Sequence, residues 1–416
     1  MAVTEARREA LAERSKNVER ATRKIRLLGH LRWPVEAETR FLDSADPHPE
    51  PPGIRLDPVV PVVPDEELKA LQDALDRADP AHEFLARTLE SARQSQALTT
   101  ALGSHGFVKL GLEMYGRPDD PVAPGAPSAL EAARLFIAAT DTLNLDEPPT
   151  KLDATEAAEW LRRETLPYLD DPQLEIELDP GLASLATAGS TRIRLRADAH
   201  FSEIQLNQLL QHEALVHAAT RRNGQEQDAL GALAMGPPRT TEAQEGLATF
   251  AELITDCMDL QRLRRIALRV VALQMALDGA DFVQLWTWFR EQRQTPEESY
   301  HSTRRILRGG DASPGGGIFA KDGVYVSGLL RLHALLLASM RENDNDLPMR
   351  LFAGRLTFGD AVRLRPLFED GTLTPPPRMP RWAAQRECLG AFLSFSALTT
   401  RFDLDALALR DFANAE

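Results

Sequence analysis

Two histidines stand five residues apart inside a stretch that otherwise reads as helix, and this spacing constrains the chain more than any other feature. The segment is His212-Glu213-Ala214-Leu215-Val216-His217. Ser202 with Gln205 three residues on has the spacing of a capping box, and Ile204, Leu206, Leu209, Leu210 and Leu215 supply an apolar helical face. One helix is therefore expected from Ser202 to a C-cap at Gly224. A regular α-helix turns by about 100° per residue, so side chains five apart diverge by about 140°, too far to share one ion comfortably. A π-type distortion brings i and i+5 roughly into line and is often found at functional sites. Such a distortion is expected between His212 and His217, and a regular ladder there would rule out a shared metal.

Hydrolytic zinc takes three protein ligands and keeps one position open for water, and a carboxylate beside the first histidine can point at that water. Glu213 has that place. The third ligand is sought downstream, on a helix able to face the first. In Thr240-Thr241-Glu242-Ala243-Gln244-Glu245-Gly246-Leu247-Ala248 either threonine can cap. Glu245 is the stronger candidate, because Gly246 removes a Cβ where two helices must come close. Glu242, one turn earlier on the same face, is its rival.

Around this segment the chain reads as α+β and mainly α-helical. Residues 1–32 form one or two amphipathic helices. A run including Pro47, Pro49, Pro51, Pro52, Pro58, Pro61 and Pro64 then imposes extended chain, a linker or a strap across the surface. The domain reading is thus 1–64 as N-terminal segment and strap, and 65–416 as the catalytic domain, with a helical subdomain over about 65–170. Helices are expected at 66–77, 81–102, 128–143, 241–276, 281–292, 296–308 and 325–341. Period-two alternation at Leu174, Ile176 and Leu178, and again at Ile193 and Leu195, predicts a small antiparallel sheet just before the histidine helix, with Gly189 and Ser190 as hairpin turn. An edge strand over Thr191–Arg196 could bind a peptide backbone by strand addition.

Bulk properties narrow the function. A net charge of −14 disfavours nucleic-acid binding. The most apolar stretch, Leu329 to Met340, is interrupted by Arg331 and His333, so no membrane span is expected. The N-terminus lacks the apolar core of a secretion signal, and two cysteines, Cys257 and Cys388, make no disulfide scaffold. A soluble cytoplasmic protein is expected. Neither cysteine lies near the histidines, which disfavours the rival reading of a non-catalytic protein with structural zinc. Hydrolysis of a non-peptide amide stays open as another alternative.

Together, HEALVH and QEGLA resemble a family of zinc metallopeptidases whose animal members are tubulin tyrosine carboxypeptidases and whose bacterial members are called QEGLA-motif proteins. Tyr115-Gly116-Arg117-Pro118 and Gly317-Ile318-Phe319-Ala320-Lys321-Asp322, with Tyr325 and Gly328, look like further blocks of it. The resemblance covers roughly residues 30–400. It implies a zincin-like fold with an H-E-x-x-x-H motif, one zinc per chain on His212, His217 and Glu245, and Glu213 as catalytic base; it thus favours Glu245 over Glu242. It alone implies a carboxypeptidase, which removes a C-terminal residue, tyrosine or another aromatic, from a peptide or protein.

Two further roles need residues. An oxyanion needs a second electrophile, for which Tyr325, His301 and Tyr300 have the right chemistry and Tyr325, in a family-like block, ranks first. A terminal carboxylate suits the planar fork of arginine; Arg304, Arg305 and Arg308 cluster before Gly309 and Gly310, and Lys321 is a second option. Arg305, Arg308 and Lys321 are the substrate-binding candidates. Pro314-Gly315-Gly316-Gly317 has no Gly-Lys-Ser/Thr after it, so it is no phosphate loop; a mobile loop near the cleft is expected.

Overall fold

Apolar residues at helical spacing set most of the architecture. A computed structural model describes residues 5–43, 50–141, 151–169, 175–180, 182, 185–188, 192–311 and 313–399. The main core joins distant parts of the chain. It takes Leu11 and Val18 from the first helix (Glu5–Thr22), Phe84 and Leu85 from Pro80–Thr100, Leu247 and Phe250 from Thr241–Ile254, and Leu332 and Leu336 from Val324–Arg341.

Two of these helices cross with almost no gap. A Cβ on Gly246 would come within 2.4 Å of the Gly328 carbonyl carbon, and one on Gly328 within 2.3 Å of the Glu242 oxygen. Glycine at both positions lets Thr241–Ile254 and Val324–Arg341 touch backbone to backbone, which fixes the helix that carries Glu245. Gly246 is thus needed against the later helix, not against the histidine helix. Ala320–Arg341 is long and apolar enough in composition to cross a membrane. Its Val324, Val326, Leu329 and Leu332 are nevertheless buried against protein.

The sheet differs from the expected antiparallel hairpin. Arg192–Arg196 is the central strand, parallel to Glu175–Asp179 on one side and antiparallel to Ala186–Ala188 on the other. The alternation at 176–178 and 193–195 marks strands correctly, but one-face burial does not distinguish parallel from antiparallel pairing. Being central, Arg192–Arg196 has no free edge for strand addition; the edges are the other two strands. Leu174, Gly189, Ser190 and Thr191 lie outside the described residues. Ile193 and Leu195 pack beneath Leu206, Leu210 and Leu215, so the sheet serves as the floor of the histidine helix.

Pro51 to Pro64 runs as irregular chain strapped along Pro80–Thr100; Pro47 and Pro49 lie outside the described residues. Val59 N donates to Thr99 O, and Gln96 exchanges hydrogen bonds with both backbone groups of Val63. The expected helix 241–276 is two, Thr241–Ile254 and Leu260–Leu277. Asp256 in the left-handed region (φ 55°) ends the first, and Asp259 caps the second through Arg262 N. Gly224 is no C-cap. It sits inside Ala219–Gln225, where a Cβ would come 2.6 Å from Leu233 backbone. The glycine loop also departs from the expected mobile cover: Gly316 and Gly317 are buried, Gly317 O accepts from Gly309 N, and the loop packs beside Phe107.

Candidate metal centre

Ser202 opens the histidine helix with reciprocal bonds to Gln205, backbone to side chain at 3.0 Å and 3.3 Å. After Glu203–Leu209 the chain widens into a π-helix, Leu210–Ala218, and returns to α-helix at Ala219–Gln225. The widening stacks positions five apart. His212 and His217 consequently face each other edge to face, ring centroids 4.8 Å apart.

Glu245 reaches this pair from the second helix. Its Oε2 lies 3.5 Å from His212 Nε2 and 3.8 Å from His217 Nε2, and has no hydrogen-bond partner although buried. One nitrogen from each histidine and a Glu245 oxygen all lie within 4.8 Å of one another. Atoms bound at about 2.0–2.1 Å to one tetrahedral ion sit about 3.4 Å apart, so the three donors are nearly at ligand spacing. Two imidazoles and one carboxylate suit zinc or a similar borderline ion. The orphaned Oε2, aimed between two nitrogens, is where such an ion fits. Glu242 is elsewhere, held by Ser327 at 2.8 Å and Arg331 at 2.9 Å.

Two of the three donors are held from behind. His212 Nδ1 lies 2.6 Å from Glu252 Oε1; as donor, it leaves the Nε2 lone pair facing Glu245 and His217. Glu252 is fully buried, and takes further bonds from Gln208 at 2.6 Å and from both arms of Arg262 at 3.1 Å. Burial works to raise its pKa, but the Arg262 charge and the His212 bond prevail and hold it near 2. The other oxygen of Glu245, Oε1, accepts from Lys321 Nζ at 3.0 Å. Burial again opposes the charge, yet Lys321 and the two histidines keep Glu245 well below the usual carboxylate range. The same two-sided arrangement, burial against Glu245 and Glu252, leaves His212 raised. On the second helix, Glu252 lies seven residues from Glu245, two turns along one face; that spacing is its signal in the sequence, and it falls outside both motifs.

The remaining candidates are placed as follows. Glu213 follows His212 on the π-helix and is half-buried. Tyr325 is nearly buried, its ring beneath Lys321 Nζ at 5.4 Å and Arg262 at 5.8 Å. Tyr300 is enclosed by Trp33, Phe41 and Phe282. His301 pairs with Glu38 at 3.0 Å. Arg305 forms a two-armed bond with Asp322 at 2.5 and 2.9 Å, and Arg308 Nε donates to Leu31 O at 3.2 Å. Lys321 is engaged with Glu245.

Beside the centre lies a cavity of about 590 Å³, bounded by Tyr115, Arg221, Gly236, Lys321 and the chain leaving the first helix, Arg23 to Gly29. Tyr115 stands edge-on to Phe319, and burial pushes its hydroxyl up to about 12, so at neutral pH it is a donor. The sequence reading named Tyr115 only as part of a block.

The model of the microtubule-associated tyrosine carboxypeptidase family matches residues 39–401. No curated protein matches the chain.

Proposed function

The chain belongs to the microtubule-associated tyrosine carboxypeptidase family, and on that premise we propose that it is a zinc-dependent carboxypeptidase cleaving the C-terminal residue of a peptide or protein. The convergence of His212, His217 and the orphaned Glu245 Oε2 carries the reading.

Zinc, when bound by these three residues, supplies a Lewis acid that acidifies water and polarises a carbonyl. The chain's own groups do the rest. Glu213, one residue from His212, takes the proton of the attacking water as the C–O bond forms. It returns that proton to the leaving amine as the C–N bond breaks. Tyr325 is the proposed donor to the developing oxyanion; Tyr115, on the cavity wall, has the same chemistry. Glu252 and Arg262 hold His212 in one tautomer, and Lys321 fixes the direction of Glu245. Such an arrangement has a zincin-like logic. A protein tail ending in tyrosine is the proposed substrate, on the family's name.

Elemental analysis of the wild type beside His212→Ala, Glu245→Ala and Glu213→Gln tests the assignment, together with hydrolysis of peptides that differ in their last residue. We expect about one zinc per chain, lost with His212 or Glu245, and retained by an inactive Glu213→Gln. Zinc kept without Glu245, or a fully active Glu213→Gln, would sink it.

A further inference from the structure

An exopeptidase must hold the free carboxylate of its substrate about one residue from the scissile bond, and one residue spans at most ~3.6 Å. The cation that does so must therefore border the metal centre and be free of another partner. Most cations here are committed. Arg262 is bound to Glu252, Lys321 to Glu245, Arg305 to Asp322, and Arg308 to a backbone oxygen. Arg269 lies behind Asp322 at 3.9 Å and shares it with Arg305.

Arg221 and Arg355 are different. Arg221 stands four residues after His217, one turn along the same helix, and lines the cavity. Arg355 follows the short helix Leu347–Leu351, and its guanidinium lies over Gly236, a residue of the cavity wall, where a Cβ would meet Nη1 at 2.5 Å. The Nε of each is buried without a hydrogen-bond partner, and among the described residues no carboxylate forms an ion pair with either. Burial lowers the pKa of both, Arg355 to about 10, and Arg221 adds to that effect on Arg355; Glu213 and Glu245 act on Arg355 in the opposite sense. Two half-buried guanidiniums that repel each other beside the proposed base and a metal ligand form an arrangement that an anion completes.

We infer that Arg221 and Arg355 are specificity-determining residues, which together receive the terminal carboxylate of the bound peptide. The inference rests on the peptidase reading for the identity of the anion. Arginine pairs suit a carboxylate because charge-assisted bonds from planar forks fix its orientation as well as its charge. The arrangement also accounts for the other basic groups: Arg262 and Lys321 hold side chains of the centre, Arg305 and Arg308 are bound elsewhere, and Arg221 and Arg355 are left to read the substrate.

The test uses full-length, zinc-loaded protein carrying Glu213→Gln, so that bound peptide is not turned over. Calorimetry compares a short peptide ending in tyrosine with the same peptide as its C-terminal amide. The free acid should bind on the order of tenfold more tightly than the amide, and Arg221→Gln or Arg355→Gln should reduce that preference to about twofold or less. Thermal midpoints should not fall, because each change removes an unpaired buried cation; a fall would indicate a packing role instead. Equal binding of acid and amide, no binding of either, or a preference that survives both substitutions would overturn the inference. Hydrolysis by protein with Glu213 intact is read separately. A chain that prefers the acid yet cleaves nothing keeps the subsite and loses the peptidase reading.

Discussion

His212 is held in place by a carboxylate that never touches the proposed metal. Glu252 ties the ring at Nδ1 and is itself tied by Arg262 and Gln208, so the orientation of one proposed ligand is set by a buried carboxylate and the two half-buried groups that hold it. Removing such a partner typically costs about 10- to 100-fold in metal affinity. Glu252→Ala should show a loss of that size in chelator competition, with His212 still present; unchanged affinity would assign Glu252 to packing alone. A second ion pair, built on the buried Asp322 and outside the proposed metal ligands, sets an acid limit on stability. Burial opposes ionisation of Asp322, but Arg305 overrides it and depresses the pKa. A depressed carboxylate contributes stability that is complete above its unfolded value, about 4, and is lost as pH falls through the lower folded value. Wild-type stability should therefore drop below about pH 4 more steeply than that of Asp322→Asn. At neutral pH the variant should be weaker by about 3 kcal/mol, since it strands Arg305. Denaturant titrations at both pH values check this, and parallel curves would contradict it.

Among the elements, the crossing at Gly246 and Gly328 links the core to the site. Glu245 precedes Gly246, so any displacement at the crossing moves a proposed ligand. Gly328→Ala should cost about 1–3 kcal/mol by overpacking and also weaken metal binding; loss of stability with unaltered metal affinity would separate the two. Local features of this region could be read directly from sequence. The capping box at Ser202 and the π-helix between the histidines follow from spacing within a few residues, because helix geometry is a local property. Glycine beside Glu245 announced a close approach but not its partner, since Gly328 is far along the chain. The sheet was harder for the same reason: Ile176 and Ile193 alternate as strand residues in either pairing. Arg221 and Arg355 carry no motif, and their significance comes from the partners they lack, which only the folded chain shows. Conversely, the partners of Arg305 and Arg308, Asp322 and Leu31 O, are set by the fold and carry no sign in the sequence.

Across the whole molecule, the first helix is part of the core although it precedes the matched family region, which starts at residue 39. Leu11 and Val18 are buried, Ser15 accepts from Ala232 N, and the chain from Arg23 to Gly29 walls the cavity. Burying each such aliphatic side chain is worth about 1.5–3 kcal/mol. Deleting residues 1–30 should lower the unfolding free energy by several kcal/mol and raise KM for peptides through loss of that wall. Calorimetry and steady-state kinetics on the truncated chain would show it, and an unchanged KM would place the substrate on another face.

The widened turn between the histidines also shows how this helix can take up one extra residue. Loss of one residue from Ala214 to Val216 would shorten the interval to four, which an ordinary α-helix satisfies without widening. Because five residues of the widened turn and four of an ordinary turn each carry the chain round about once, everything beyond would keep nearly the phase it has. Leu206 and Leu210 are seated on the sheet, while Thr220 bonds Gln244 and Asn223 bonds the backbone of Phe352 and Arg378. Both the sheet contacts and these anchors can therefore stay in place across the change. The five-residue and four-residue intervals are thus one insertion apart, and the widened turn confines that insertion to the stretch between the two histidines while both ends stay packed.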